Sequence, residues 1–242
     1  MVRRMFEHLP QRILVTVGGT GIGLGIVERL RELDCGAVAV GRRPQPLEQA
    51  AQFGAEVQQW DITSNQAELF RRIGPVDGLV LNAGQYAHEP VSAWTEASWM
   101  QLWRVNTLAA AMLAHEFSEQ LEGPGAIVAV ASTLAHRPAP GAAPYAASKA
   151  ALVATIQHLA LELAPRGVRA NVVSPGIVPT EMTEAERNGD AADEQRAAFV
   201  ALHPIGRLGE PRDVADTVVH ALSNPWMTGA NLNIDGGLLV RE

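Results

Sequence analysis

Short apolar runs rich in β-branched residues alternate with longer stretches of helical spacing, and this alternation constrains the fold more than any other feature of the chain. The runs are Ile13 to Val17, Ala37 to Val40, Val57 to Trp60, Gly78 to Leu81, Ala126 to Ala131, Arg169 to Val173 and Asn231 to Ile234. Between the first two, Ile22, Ile26, Val27 and Leu30 share one helical face, while Glu28, Arg29, Arg31 and Glu32 fall largely on the other. That is the pattern of a surface helix laid over a sheet. The same spacing predicts helices near Gln66 to Ile73, Glu96 to Leu121, Pro144 to Ala164, Asp193 to Leu202 and Pro211 to Leu222. Strands alternating with helices imply a doubly wound α/β fold, a parallel sheet of about seven strands flanked by helices. No repeat, low-complexity tract or Gly/Ser linker breaks the pattern, so residues 1–242 read as one domain. The exception is the charged, small-residue-rich stretch containing Asn188-Gly189, which leads us to expect a substrate lid over residues 181–202.

Composition removes several function classes. At 47% hydrophobic and 19% charged residues, the 242-residue chain is globular in composition. Its 19 Lys and Arg against 26 Asp and Glu give a net charge of −7, with no basic run, which argues against nucleic acid or an anionic membrane as partner. The single cysteine, Cys35, has no partner for an intramolecular disulfide, and no Cys/His group has zinc-binding spacing, so no metal is expected. Met1 to Gln11 carries Arg3 and Arg4 without the apolar core of a signal peptide, and no run approaches a membrane span. The expectation is a cytoplasmic protein.

After the first run come Gly18, Gly19, Thr20, Gly21, Ile22 and Gly23, a glycine turn that leads from strand into helix. Such a turn lets the backbone approach a pyrophosphate, which then rests on the free amides of the helix N-terminus. An ordinary glycine-rich turn has the same composition. Asp61 directly follows the third run and Asn82-Ala83-Gly84 the fourth, both at carboxyl ends, where open parallel sheets bind ligands.

Tyr145 and Lys149 are four apart at the start of a predicted helix, so phenol and ammonium share a face. A cation near a Tyr favours its ionised form, which suits proton transfer with an alcohol oxygen. Ser132, thirteen residues before Tyr145, ends the fifth run, where its hydroxyl is placed to hold a carbonyl oxygen. Asn106 lies within the preceding long helix. Singly each has a plain structural reading; the four together do not.

With these residues in place the chain resembles the short-chain dehydrogenase/reductase family, from about Arg12 to Gly237. The resemblance rests on the glycine turn, Asn82 to Gly84, Tyr145-x-x-x-Lys149, Ser132, Asn106, Pro175-Gly176-Ile177-Val178-Pro179-Thr180 and Asn233 to Gly237. It implies hydride transfer between a nicotinamide and a carbonyl carbon. Tyr145 would give or take the proton and Ser132 bind the oxygen. Lys149 would hold the ribose and lower the phenol's pKa, and Asn106 would anchor a water relay. The implied cofactor set is Gly18 to Gly23, Arg42, Arg43, Asp61, Ile62, Asn82, Ala83, Gly84, Tyr145, Lys149, Pro175, Gly176, Ile177 and Thr180. Homotetramers or homodimers are implied as well.

Two departures stand out. The family opens its turn with a glycine where this chain has Val17; if that position needs φ > 0, a β-branched residue is strained there, unless the backbone differs or Gly18 takes over the turn. The segment from Asp61 to Asn82 is also short, with only Gln66 to Ile73 available for a helix.

The second run ends Val40-Gly41-Arg42-Arg43. A carboxylate there would accept from the ribose hydroxyls of NAD; two guanidiniums instead suit the 2′-phosphate of NADP, which we favour over NAD. The substrate is less legible. His136 and Arg137 follow Ser132 and could face a polar substrate group, although a lone His or Arg on a loop more often faces solvent, and Trp94, Trp99 and Trp103 read as core or subunit interface. Two function classes stay open: a carbonyl reductase or alcohol dehydrogenase acting on a ketone or secondary alcohol, and a dinucleotide-sensing or regulatory module, to which only Val17 points.

Overall fold

The computed structural model describes residues 6–181 and 192–241. Seven strands form one parallel sheet: β1 (Arg12–Thr16), β2 (Gly36–Gly41), β3 (Glu56–Gln59), β4 (Gly78–Leu81), β5 (Gly125–Val130), β6 (Val168–Pro175) and β7 (Asn231–Ile234). Their order is β3-β2-β1-β4-β5-β6-β7. The order reverses at β1, which lies between β2 and β4, and this opens a crevice at the carboxyl ends of β1 and β4.

Register explains the two cores. Leu14 lies opposite Val38 and Leu79, and Val15 opposite Ala39 and Val80. Side chains alternate across a strand, so one row faces each way. Leu14, Val38, Leu79, Ile127 and Ala170 form a core with α3 (Gln66–Ile73), α5 (Ala109–Gln120) and α6 (Ala143–Leu163). Ile13, Val15, Ala37, Ala39 and Val128 form the other with α1 (Gly21–Glu32), α2 (Pro44–Gln52) and α8 (Pro211–Ser223). Truncating a fully buried anchor such as Phe70 or Phe117 would cost about 3–5 kcal/mol.

The expected strands and helices are present within a few residues, with two differences. Between β2 and β3 lies α2, which the sequence reading omitted; it starts on Pro44 and buries only Leu47 and Ala50. The expected helix from Glu96 to Leu121 is built as α4 (Glu96–Trp103) and α5 joined by a π turn over Arg104–Leu108. The helix expected from Asp193 to Leu202 is α7 (Ala192–Ala201), after β6. Residues 182–191 of the expected lid lie outside the described residues. Among the described residues no helix is long and apolar enough to cross a membrane, and no group of three His, Cys, Asp or Glu residues is placed to hold a metal ion.

Candidate active site

The turn after β1 departs from both alternatives offered by the sequence. Gly18 does not take over: Val17 itself adopts φ 52°, in the left-handed region, with its side chain 37% exposed at the surface. Gly18 is packed too tightly to be re-aimed, since a Cβ there would lie 2.8 Å from Ala39 Cβ. Gly19, Thr20, Gly21, Ile22 and Gly23 then carry the chain into α1, with Thr20 at the N-cap. Thr20 makes no side-chain cap bond and the first turn holds no acidic residue, so the positive end of α1 is not neutralised from within its own first turn. This donor set fits the pyrophosphate of a dinucleotide.

Thr16, at the end of β1, joins this turn to the loop after β4. Its Oγ1 accepts from the backbone N–H groups of Asn82 and Ala83, both at 2.9 Å, while Asn82 Nδ2 donates to the Thr16 carbonyl at 3.1 Å. Asn82 and Ala83, expected to touch cofactor, thus also lock two strand ends together. Sequence reasoning missed Thr16, because a Thr in a buried strand reads as ordinary β-propensity. Gly84 completes the loop: a Cβ there would stand 3.3 Å from Lys149 Nζ.

Ser132 follows β5 in extended backbone, and its Oγ accepts from the Leu134 N–H at 3.2 Å. Tyr145 lies in the first turn of α6 and Lys149 one turn further on; both are buried. The Ser132 hydroxyl is hydrogen-bonded to the Tyr145 phenol, and Tyr86 packs edge-on against the same ring at 4.9 Å between centroids. Lys149 Nζ donates to the Val130 carbonyl at 2.8 Å. Burial lowers Lys149 to about 8. Lys149 is not among the groups that shift the phenol in this structure. Burial raises Tyr145 to about 12, the Ser132 hydrogen bond lowers it only in part, and Tyr86 raises it further. Desolvation is the dominant cause, and burial likewise drives the nearby ammonium toward neutrality.

Asn106 sits inside the π turn, fully buried. Its Oδ1 accepts from Gln85 N–H at 2.7 Å, and Nδ2 donates to the Gln85 carbonyl and to Ser148 Oγ, each at 2.9 Å. The side chain is therefore committed to protein groups, and a water relay would have to use the main chain. π turns within α-helices recur at functional sites.

The remaining expected residues ring the same carboxyl edge. Arg42 and Arg43 follow β2; Arg43 pairs with Glu181, while Arg42 acts through space on Asp61. Asp61 is held below the usual carboxylate range chiefly by the Thr63 backbone N–H, against desolvation, with help from the Thr63 hydroxyl, Arg42 and Arg104. The Ile62 side chain is buried in the core rather than facing a cofactor, which leaves its backbone for that role. Pro175 ends β6, Gly176 N–H donates to the Ile234 carbonyl at 2.9 Å, and Ile177 N–H donates to His203 Nε2 at 3.4 Å. Thr180 lies over Gly21.

His136 and Arg137 are not simply solvent-facing. His136 Nε2 is 2.6 Å from Asn231 Nδ2, and Arg137 donates to the Leu238 carbonyl at 2.7 Å, so both tie the Ser132 loop to the C-terminal strand region. Trp94 and Trp99 make an edge-to-face pair at 5.1 Å, but Trp94 and Trp103 are both exposed, which removes the core reading for these two. A cleft of about 700 Å³ lies at the opposite, amino edge of the sheet. Its Asp77 and Arg169 are engaged by backbone groups, and parallel sheets bind ligands at the other edge.

A buried Tyr and Lys one helical turn apart, a Ser hydroxyl on the phenol and an open helix N-terminus in the same crevice define a Rossmann-type oxidoreductase. The family model described as Enoyl-(Acyl carrier protein) reductase matches residues 18–239. The chain is 32% identical over 236 residues to 2,3-dihydro-2,3-dihydroxybenzoate dehydrogenase of Escherichia coli (strain K12), covering 92% of this chain and 95% of that protein. It is 32% identical over 240 residues to L-xylulose reductase of Bos taurus, covering 95% and 97%. A variant of actinorhodin polyketide ketoreductase crystallised with NADPH superposes with a TM-score of 0.85 at 28% identity, covering 94% of this chain and 97% of that one. The chain belongs to the short-chain dehydrogenase/reductase family, whose members are NAD(P)-dependent oxidoreductases.

Proposed function

We propose that the protein is an NADP-preferring carbonyl reductase or alcohol dehydrogenase that interconverts a ketone and a secondary alcohol, with Tyr145 as general acid and base. The observation that carries this reading is the buried Tyr145, hydrogen-bonded to Ser132 and one turn from Lys149 on a single helix. In this reading Ser132 donates to a carbonyl oxygen, and Tyr145 protonates that oxygen as charge develops on it. A phenol raised to about 12 is held fully protonated at neutral pH, the state needed for reduction. For oxidation it must first lose that proton, and the positive charge of an oxidised nicotinamide would favour the loss. When bound, the nicotinamide supplies or accepts the hydride. Lys149, Asn82 to Gly84 and the Pro175 to Thr180 segment would hold its ribose and carboxamide end; Gly18 to Gly23 would hold the pyrophosphate. Arg42 and Arg43, with no carboxylate at the end of β2, support the choice of NADP over NAD.

Met100, Trp103 and Met112 are large apolar side chains left exposed on α4 and α5, which supports self-association as a homotetramer or homodimer through these helices. The function is tested by mixing the purified protein with NADPH and a panel of ketones, β-keto thioesters and sugars, following nicotinamide absorbance. Turnover of at least one carbonyl is expected, faster with NADPH than with NADH. In Tyr145→Phe, turnover should fall by about 10²–10⁴ with cofactor affinity kept within a few-fold, because only the phenolic hydroxyl is lost. NADPH binding without turnover across the panel would move the reading to a dinucleotide-sensing module.

A further inference from the structure

Arg43 Nη2 donates to Glu181 Oε2 at 2.5 Å, across 138 residues of sequence. The two side chains are 63% and 62% exposed. Arg43 is the N-cap residue of α2, on the β2 side of the crevice, where the proposed 2′-phosphate would lie. Glu181 comes from the opposite side, directly after Thr180. The segment between is laid over the glycine turn, since a Cβ on Gly21 would come within 2.9 Å of Thr180 Cγ2. The chain after β6 therefore crosses the turn that would carry the pyrophosphate, and the first carboxylate beyond it takes hold of one of the two arginines.

We infer that Glu181 is a specificity-determining residue that competes with the 2′-phosphate of NADP for Arg43. The inference rests on the NADP reading of Arg42 and Arg43 and adds a brake to it. The same face of the Arg43 guanidinium cannot hold a carboxylate and a phosphate at once, so a 2′-phosphate must displace Glu181 or bind beside its negative charge. NAD has hydroxyls in place of the phosphate and incurs neither cost. Glu181 thus narrows the gap between the two cofactors by opposing one of them, and specificity is set as much by the opposed interaction as by the favoured one. Because the pair is exposed, the effect is moderate. Exposed ion pairs carry an equilibrium shift of about one- to fivefold.

The test is a double-mutant cycle on dissociation constants for NADPH and NADH, read by nicotinamide fluorescence in wild type, Glu181→Gln, Arg43→Gln and the double variant. Glu181→Gln should tighten NADPH about two- to fivefold and leave NADH unchanged. Arg43→Gln should weaken NADPH about tenfold, and in that background Glu181→Gln should give no gain. If Arg43→Gln lowers NADPH affinity but Glu181→Gln does not raise it, the competition is overturned while the cofactor reading stands. An equal gain from Glu181→Gln in both backgrounds would show that it acts as a general charge rather than through Arg43, and would overturn the inference too. A preference unmoved by Arg43→Gln overturns the phosphate role of Arg43, and the competition with it.

Discussion

Asn106 grips the backbone of Gln85 from both sides, accepting its N–H at 2.7 Å and donating to its carbonyl at 2.9 Å. The clamp fixes the loop after β4 next to Tyr86, whose ring meets Tyr145 edge-on. Replacing Asn106 by Ala strips partners from Gln85 N–H and C=O in a part-buried setting. The expected loss is about 2–3 kcal/mol of stability, by the size of unsatisfied buried groups. Urea unfolding measures it, and a parallel fall in kcat would show that the loop's position matters to chemistry. A variant as stable as wild type would mean that the loop holds itself without Asn106.

Val17 offers a gain instead of a loss. A β-branched residue at φ 52° is held in a conformation that costs an L-residue on the order of 1–3 kcal/mol. Glycine adopts it without that cost but loses about 0.5–1 kcal/mol to the greater freedom of the unfolded chain. Val17→Gly is therefore expected to stabilise the protein by about 1 kcal/mol and to raise Tm by about 2–4 °C. A lower Tm would show that the half-exposed Val17 side chain contributes more by its contacts than it costs in backbone strain.

The inner strands of the sheet were legible because they are buried on both faces and read as largely apolar runs, as Leu79, Val80 and Leu81 do, whereas the edge strands are weaker signals, β3 being largely exposed and β7 only partly buried. The four residues at the crevice were legible as types at a spacing. What was not legible depends on partners distant in sequence. α2 contains two prolines and buries only Leu47 and Ala50, so its apolar stripe is too thin to signal a helix. The π turn around Asn106 leaves the local composition of a helix intact. Thr16 shows its use only once β4 lies beside it, and the high phenol value follows from burial, which no four-residue spacing reports.

Thr16→Val tests that hidden junction. Valine keeps the shape and the strand preference but leaves the amides of Asn82 and Ala83 without their common acceptor. One part-buried and one buried N–H group left unpaired should cost about 2–4 kcal/mol. NADPH affinity should fall as well, since the glycine turn and the Asn82 to Gly84 loop would no longer be tied together. Thermal unfolding and nicotinamide fluorescence read the two effects; loss of stability with binding intact would confine Thr16 to a structural role.

Lys149 makes stability depend on pH in a narrow alkaline window. Burial lowers its ammonium to about 8 from an ordinary 10.5, so between those values the unfolded chain holds a proton that the folded protein has released. Stability then rises with pH, because the state that binds more protons is the one disfavoured as protons become scarce. Cys35, raised by burial to about 12 from 9.0, works the other way from pH 9 upward, and Tyr145, raised to about 12 from 10.0, does so from pH 10. The carboxylates that are shifted, Glu32, Glu56, Asp61, Glu68 and Asp213, are all lowered and titrate far below this range. The rise is therefore clearest between pH 8 and 9, where a single proton accounts for a slope of up to about 1.4 kcal/mol per pH unit. Urea unfolding across that interval should show the slope in wild type and a flat line in Lys149→Met; the same slope in both proteins would mean that the proton belongs to another group.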